Sequence, residues 1–289
     1  MHALHILCLA GFMPSLQLAL FAQAQPVASP ASSALPDIPQ FMREVAGHQK
    51  ELDKIRENYT YTSLRTIQYM DSSGQVTKTE TGEFEEFFVH GHLIGREVKK
   101  EGQPLSEREL KKETERVTRL AEKAEKTPRE QPLEGQTISV IRLLEIMDVR
   151  NPRRETFRGR PSIIFDFIGR KDARTYGMAE DASKVLQGTL RVDEANRQVI
   201  HLDASFNDNF RIGGGLVGAI QKGSNFHFDQ ALVNGEIWLP IGSEGTVWAR
   251  VLMFKAVHQH YTERDFDYQR FRVETQQGKD AKVTPEKKQ

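Results

Sequence analysis

The chain has 289 residues, enough for one large domain or two small ones, and we expect one because a single all-β domain of about 200–250 residues is ordinary. Its 40 acidic and 40 basic residues balance, so no overall field steers the protein toward nucleic acid or an anionic membrane. Nucleic-acid partners are therefore disfavoured, and a mean hydropathy of −0.54 is typical of a soluble mature chain.

The N-terminal segment has the features of an export signal. Residues 3–21 are largely apolar and precede Ala22-Gln23-Ala24, a pattern typical of a secretory cleavage site. A proline and two polar residues interrupt the apolar stretch, which favours cleavage over a membrane anchor. We expect a signal peptide over 1–24, cut after Ala24, and a periplasmic or secreted protein. The only cysteine, Cys8, would be removed with it, which excludes disulfides, thiolate nucleophiles and cysteine-based metal sites.

A linker and a helix follow this segment. Residues 25–37 are rich in Pro, Ala and Ser, which predicts a disordered tether. From Ile38 to Ile55 apolar residues recur at helical spacing with charges between them, which predicts an amphipathic helix packed on other structure.

The pattern then changes to antiparallel strands. A strand begins at Tyr59 and ends at the polar turn Asp71-Ser72-Ser73-Gly74, a second runs from Glu80 to Val89, and a third follows His90-Gly91. Short turns of this kind join neighbouring antiparallel strands.

A charged helix is predicted over 106–126. Ser106 and Glu109 form a capping box, and Leu105 and Leu110 occupy the positions of a hydrophobic staple. Its apolar stripe is thin, so we expect a protruding helix that contributes little to the core.

A second, apolar helix is predicted over 137–149. It carries few charges and is followed by Asn151-Pro152, which would end it. An almost wholly apolar helix needs cover on several sides. It is either a core helix or a lid that faces a ligand, and the core interpretation is favoured.

The remaining chain predicts strands. They are expected over 162–169, 188–193, 198–208 and 224–233, with a tight hairpin at Asn234-Gly235. In the third of these, Ile200, Leu202, Ala204 and Phe206 alternate with His201, Asp203 and Ser205, a half-buried pattern. Residues 246–261 predict one long curved strand, and the polar tail from Thr275 is expected to fray.

Two motifs have the spacing of binding sites. Residues 213–218 satisfy G-x-G-x-x-G, but no following helix or acidic partner completes a dinucleotide site. A flexible glycine connection with an apolar tip of Leu216, Val217 and Ile220 is favoured. The pairs His90/His92 and His258/His260 have metal-ligand spacing without a completing carboxylate. We predict no metal and no cofactor.

Catalytic signatures are also absent from the sequence. Asp166 lies between Phe165 and Phe167 and is either a buried acid or a solvent-facing residue. No ordered nucleophile, base and acid stand out. We predict no catalytic residues and no enzymatic activity.

Several segments together resemble a known family. The N-terminal helix, Asn58-Tyr59-Thr60-Tyr61, Gly159-Arg160-Pro161, residues 188–193 and Ile237-Trp238-Leu239-Pro240 resemble the bacterial periplasmic lipoprotein-carrier superfamily, the LolA/LolB-like proteins. The resemblance spans residues 38–273 and implies a strongly curved antiparallel β-sheet, an incomplete barrel of the α+β class, with helices covering its concave face. That face would hold acyl chains. The chain is longer than the standard carrier and carries the extra charged helix.

These observations predict one domain over 38–274 that binds an acyl chain or similar hydrophobic ligand without chemistry. Transient partners would be a membrane or envelope proteins. The alternatives are a protein-interaction or envelope-sensor module on the same scaffold and, less favoured, a secreted hydrolase. The residues expected on the concave ligand face are Ile141, Leu144, Ile200, Leu202, Phe206, Phe226, Phe228, Leu252 and Phe254.

Overall fold

The computed structural model describes residues 34–129, 131–133, 138–252, 255–273 and 283–285. The expected signal peptide, its cleavage site, most of the 25–37 linker and most of the tail after Thr275 lie outside these residues. The described residues from Leu35 onward form one compact unit.

The described residues contain helices and a large set of strands. The helices are α1 (Ile38–Arg56), α2 (Glu107–Ala124), α3 (Val140–Ile146) and α4 (Met178–Ser183). The strands are β1 (Tyr59–Met70), β2 (Val76–Val89), β3 (His92–Lys100), β4 (Gln103–Pro104), β5 (Met147–Phe157), β6 (Arg160–Gly169), β7 (Leu186–Asp193), β8 (Gln198–Phe206), β9 (Phe210–Ile212), β10 (Gly218–Ile220), β11 (Asn225–Val233), β12 (Ile237–Val251), β13 (Lys255–Val273) and β14 (Val283–Pro285). None of the described helices is both long and apolar enough to cross a membrane.

The strands form one open, curved antiparallel sheet. Its order is β4-β3-β2-β1-β13-β12-β11-β8-β7-β6-β5, with β9 and β10 pairing beside β12 and β14 beside β13. The strands β4 and β5 end the path on opposite sides, so the sheet is not closed. The predicted class, an open curved antiparallel sheet with helices in an α+β fold, is confirmed.

The main apolar cluster lies between the sheet and α1. Asp37 caps this helix by accepting a hydrogen bond from the Gln40 backbone N–H at 2.7 Å, as N-cap residues do. Phe41 and Val45, one helical turn apart, bury their side chains in the cluster. The strands contribute alternate residues to the same face, among them Ile163, Phe165, Phe167, Leu190, Leu202 and Ala204.

Buried polar groups fix α1 on the sheet beside this cluster. The Gln198 amide donates to Gln49 Oε1 at 2.8 Å. Arg56 donates to Gln230 Oε1 at 2.5 Å and to the Trp238 carbonyl at 3.2 Å. Buried polar groups are tolerated when they are hydrogen-bonded in this way, so this network sets where α1 lies across the sheet.

Two local sequence signals are confirmed. Ser106 and Glu109 form the expected capping box at the start of α2. Asn234 and Gly235 have positive φ of 52° and 71° and join β11 to β12, with the Glu236 N–H donating to the Val233 carbonyl at 3.0 Å.

The predicted apolar helix over 137–149 is wrong at its C-terminal end. Among its described residues, Val140–Ile146 are helical, and the chain then enters β5 at Met147. The strand continues past Asn151-Pro152, where the pairing with β6 shifts between Arg150 and Arg153. A proline is tolerated there because β5 is an edge strand and the proline lies within an irregularity.

The predicted single strand over 246–261 is also wrong. The chain reverses after Val251, and β12 and β13 pair antiparallel with Val251 opposite Lys255. Leu252 takes a positive φ of 50° at this reversal. Leucine gives no turn signal, since positive φ normally selects Gly or Asn.

Candidate functional site

The concave face of the sheet changes from apolar to polar along single rows of paired residues. One row runs from Leu202 through Phe228, Ser243 and Glu263 to Arg65. Directly paired residues project to the same side of a sheet. The apolar cluster and a charged group therefore share one face, and the boundary between them lies between β11 and β12.

Five of the predicted ligand residues meet at the apolar end of this face. Leu202 and Phe206 are buried in the main cluster, while Phe226, Phe228 and Leu144 pack against it and remain partly exposed. Ile141 is half-buried on α3. The face thus has a closed apolar interior and a partly open apolar margin formed by β11 and α3.

The other three predicted ligand residues do not join this margin. Ile200 is buried, but it lies where the pairing of β7 and β8 shifts and is outside the cluster. The placement of Leu252 on the concave face is wrong: it lies at the β12–β13 reversal and is 57% exposed. Phe254 lies outside the described residues.

A buried carboxylate group occupies the polar end of the same face. Arg65 donates to Glu86 Oε1 at 2.6 Å and to Glu263 Oε1 at 3.0 Å. Ser63 donates to the same oxygen of Glu263 at 2.7 Å. Glu86 Oε2 and Asp265 Oδ1 are buried without a hydrogen-bond partner. Three carboxyl groups thus surround one guanidinium and retain unused acceptor atoms.

Burial alters the acidity of this group. Removal from water and, after it, the neighbouring Glu263 carboxylate raise the pKa of Asp265 to about 7. Burial also raises the pKa of Glu86, against the opposing effect of Arg65. Like charges close together in a partly dry site disfavour full ionisation. Near neutral pH the cluster can therefore hold a proton on Asp265 or accept hydrogen bonds from a donor.

Sequence reasoning missed this carboxylate group. Arg65 and Glu263 are 198 residues apart, and Arg65 and Glu86 are 21 apart. No spacing rule links Glu86 on β2 with Glu263 and Asp265 on β13 and with Arg65 on β1. The one available signal was charged residues at inward positions of otherwise regular strands, and that signal depends on knowing the pairing.

The opposite face of the sheet carries a shallow, polar opening. It has a volume of about 350 Å³, and strand alternation places most of its lining side chains opposite Leu202 and Phe226. It is lined by Gly188, Thr189, Asp203, Ala204, Ser205, Asn225, Phe226 and His227. Beside it, His201 is buried rather than solvent-facing and contacts Asp229 at 2.7 Å and Asp203 at 2.9 Å.

The predicted histidine pairs remain apart. β3 pairs with β2 and β4, whereas β13 pairs with β1, β12 and β14, so the four histidines do not meet. His92 contacts the Thr127 carbonyl at 3.1 Å, and the His258 ring stacks on Trp248. Within the described ranges, no three His, Cys, Asp or Glu side chains form a group that could hold a metal ion.

Asp166 faces solvent, which is the second of the two interpretations of this residue. Its side chain is 38% exposed and contacts Arg153 at 2.9 Å. Hydrogen bonds from Asn151 and then Arg153 lower its pKa.

The glycine motif forms the turn between the short strands β9 and β10. Residues Gly213–Gly215 lie between β9 and β10, and no phosphate-binding helix follows. Leu216 and Val217 form an exposed tip, as expected, whereas Ile220 packs against the main cluster.

Comparison with known proteins gave structural likenesses alone. No family model and no curated protein matches the chain. A domain from Vibrio parahaemolyticus assigned to outer membrane lipoprotein sorting shares 12% identity, with 81% of this chain and 93% of that one covered, at a TM-score of 0.40. A LolA superfamily protein from Nitrosomonas europaea shares 11% identity, with 78% of this chain and 92% of that one covered, at a TM-score of 0.31.

A DUF1329 family protein from Desulfovibrio piger shares 11% identity, with 78% of this chain and 92% of that one covered, at a TM-score of 0.34. Two of the three structures thus carry names from lipoprotein sorting or the LolA superfamily, which the sequence motifs resemble.

Proposed function

We propose that this protein is an extracytoplasmic, non-enzymatic binder or carrier of an acyl chain or similar apolar ligand, held on the concave face. The observation that carries the proposal is the incomplete cover of the apolar cluster. Phe226, Phe228 and Leu144 pack on the cluster and still keep exposed surface. Contiguous apolar surface in a concavity is typical of ligand sites.

The magnitude of the interaction is sufficient for such a ligand. Each CH₂ group buried on this margin would contribute up to about 0.8 kcal/mol. An acyl chain that buries many such groups retains useful affinity after the cost of association is subtracted.

A secreted hydrolase is the weaker alternative. Asp265, with its pKa near 7, could exchange a proton at neutral pH. Glu86 and Glu263 form ion pairs with Arg65. Catalysis also needs a nucleophile or an activated water aligned with the acid, and no such arrangement is evident in the described cluster.

The proposal can be tested by narrowing the margin at Leu144. Leu144→Trp adds bulk on α3 and should abolish saturable binding of a fluorescent fatty acid, while the free energy of unfolding stays near that of the wild type. Leu110→Trp is the matched control, because Leu110 is exposed on α2, and it should bind the probe normally.

A packed core gives the opposite pattern. If the wild-type protein shows no saturable binding and Leu144→Trp lowers the free energy of unfolding by about 1–3 kcal/mol through overpacking, the ligand proposal is wrong. The interaction-module alternative would then be favoured.

A further inference from the structure

The most exposed large apolar side chains of the described chain lie together. Leu216, Leu252 and Val217 are 65%, 57% and 56% exposed, above every other large hydrophobic residue in the described ranges. Leu216 and Val217 lie in the turn between β9 and β10, and Leu252 at the end of β12. The Leu252 N–H donates to the Val217 carbonyl at 3.1 Å, which holds the two turns side by side. We call these three residues the apolar tip.

The backbone holds the apolar tip in place. Gly213, Gly214 and Gly215 have positive φ of 58°, 65° and 95°, which only glycine adopts readily in succession. After this turn β10 pairs with both β9 and β12. The tip is therefore attached to the main sheet by regular strand pairing.

Basic residues accompany the apolar tip. Residues 209–228 and 245–262, which form the tip and its supporting strands, contain no acidic residue, although the chain has 40. The same segments contain the exposed cations Arg211, Lys222, Arg250 and Lys255. A neutral protein thus has a locally cationic region at its most apolar projection.

The arginines and a tryptophan are placed next to the tip. Arg211 and Arg250 both pair opposite Ala219 on β10, so they project to the same side with a small residue between them. Trp248 is 37% exposed and stacks on His258 at 5.1 Å between ring centroids. Tryptophan and arginine are favoured at the boundary between lipid headgroups and acyl chains.

We propose that the apolar tip docks on the surface of an anionic lipid bilayer. Leu216, Val217 and Leu252 would enter the headgroup boundary, while Arg211 and Arg250 would lie among the phosphates, as in interfacial segments that combine apolar and cationic side chains. A stable protein partner normally buries about 1,200 Å² or more, which three side chains on a projecting tip do not offer. This docking goes beyond the proposed ligand binding and does not depend on it.

The test is sedimentation of the full mature chain with vesicles of phosphatidylcholine with or without phosphatidylglycerol. The wild type should bind the phosphatidylglycerol vesicles and bind pure phosphatidylcholine weakly. Leu216→Ser with Leu252→Ser should weaken binding on the order of tenfold. Arg211→Gln with Arg250→Gln should weaken it by about 25-fold and reduce its salt dependence, since each of the two cations near an anionic surface strengthens binding roughly fivefold.

Matched controls distinguish docking by the apolar tip from nonspecific adsorption and from misfolding. Leu93→Ser with Leu110→Ser removes two exposed leucines elsewhere, and Arg108→Gln with Arg119→Gln removes two exposed cations on α2. Both should bind as the wild type does. If the Leu252 change unfolds the chain, Leu216→Ser with Val217→Ser tests the same point within the exposed turn.

Three results would overturn the proposal. In the first, the wild type fails to bind phosphatidylglycerol vesicles, and in the second, the control variants lose as much vesicle binding as the tip variants. In the third, the tip variants lose self-association in sedimentation velocity while their vesicle binding is unchanged. The last result would assign the tip to a second copy of the chain. Fatty-acid probe binding without vesicles should be unchanged in the tip variants, so failure of docking and failure of the ligand proposal are distinguishable.

Discussion

At the scale of single residues, burial of Asp265 at the polar end of the concave face lowers the stability of the folded protein when this carboxyl group ionises. Its ordinary pKa in an unfolded chain is about 3.9, whereas burial and Glu263 raise the folded pKa to about 7. Between these values the folded protein keeps a proton that the unfolded chain has lost. The contribution of Asp265 to the free energy of unfolding is therefore greatest below about pH 4, and it is lost as the pH rises through about 7.

Asp265→Asn should remove this loss. The free energy of unfolding of the variant relative to wild type is expected to rise by about 1–3 kcal/mol between pH 5 and pH 8, measured by urea unfolding at both values. Asp166→Asn is the control: because the pKa of Asp166 is lowered, its contribution to stability is lost only on acidification below about pH 4, so its difference from wild type should be the same at pH 5 and pH 8. A pH-independent difference for Asp265→Asn would show that Asp265 is ionised in the folded protein.

The residue scale also marks where prediction from sequence ended. Leu202, Phe206, Phe226 and Phe228 were placed correctly together because alternation along a strand fixes which face a side chain occupies. Ile200 departed from this alternation because a shift in pairing interrupts β8. Such irregularities carry no sequence signal unless glycine or proline marks them.

At the scale of elements, α2 has its own small core. Leu120 and Ala124 of this helix pack with Ile94 and Leu133 in a cluster separate from the main one. The Glu113 carboxylate accepts a hydrogen bond from the Glu97 N–H at 2.7 Å. The light attachment of α2 and its dispensability for folding remain predictions.

Replacing residues 106–126 with a Gly-Ser bridge should leave a cooperative thermal transition. The free energy of unfolding should fall by a few kcal/mol, since Ile94 and Leu133 lose their cover and each buried side chain of this kind contributes about 1.5–3 kcal/mol. Ser106→Ala, which removes the cap alone, should cost about 1 kcal/mol. A molten remainder, with near-ultraviolet circular dichroism lost, would make α2 part of the essential core.

Elements were predictable where local chemistry determined them. The cap of α2 and the Asn234-Gly235 turn needed only their own residues. The reversal after Val251 and the strand that follows α3 depended on partners far along the chain. There the pairing of β12 with β13 and of β5 with β6 overrode local propensity, as tertiary context commonly does.

At the scale of the whole molecule, one sheet carries surfaces of different character. The concave face has a helix-covered apolar cluster, a partly open apolar margin and a buried carboxylate group, and the apolar tip projects with basic residues around it. The fold class followed from strand and helix patterns together with the resemblance to the lipoprotein-carrier superfamily. The polar end of the concave face did not, because its residues meet only after the strands pair.

Native mass spectrometry of the mature chain, purified without detergent after export, tests the central claim most directly. A noncovalent adduct with the mass of an acyl-chain lipid is expected on the wild type and on Leu110→Trp, and it should be absent from Leu144→Trp. Wild-type protein that is free of adduct, and that stays free of it after incubation with fatty acid, would contradict the claim that the concave face binds an apolar ligand.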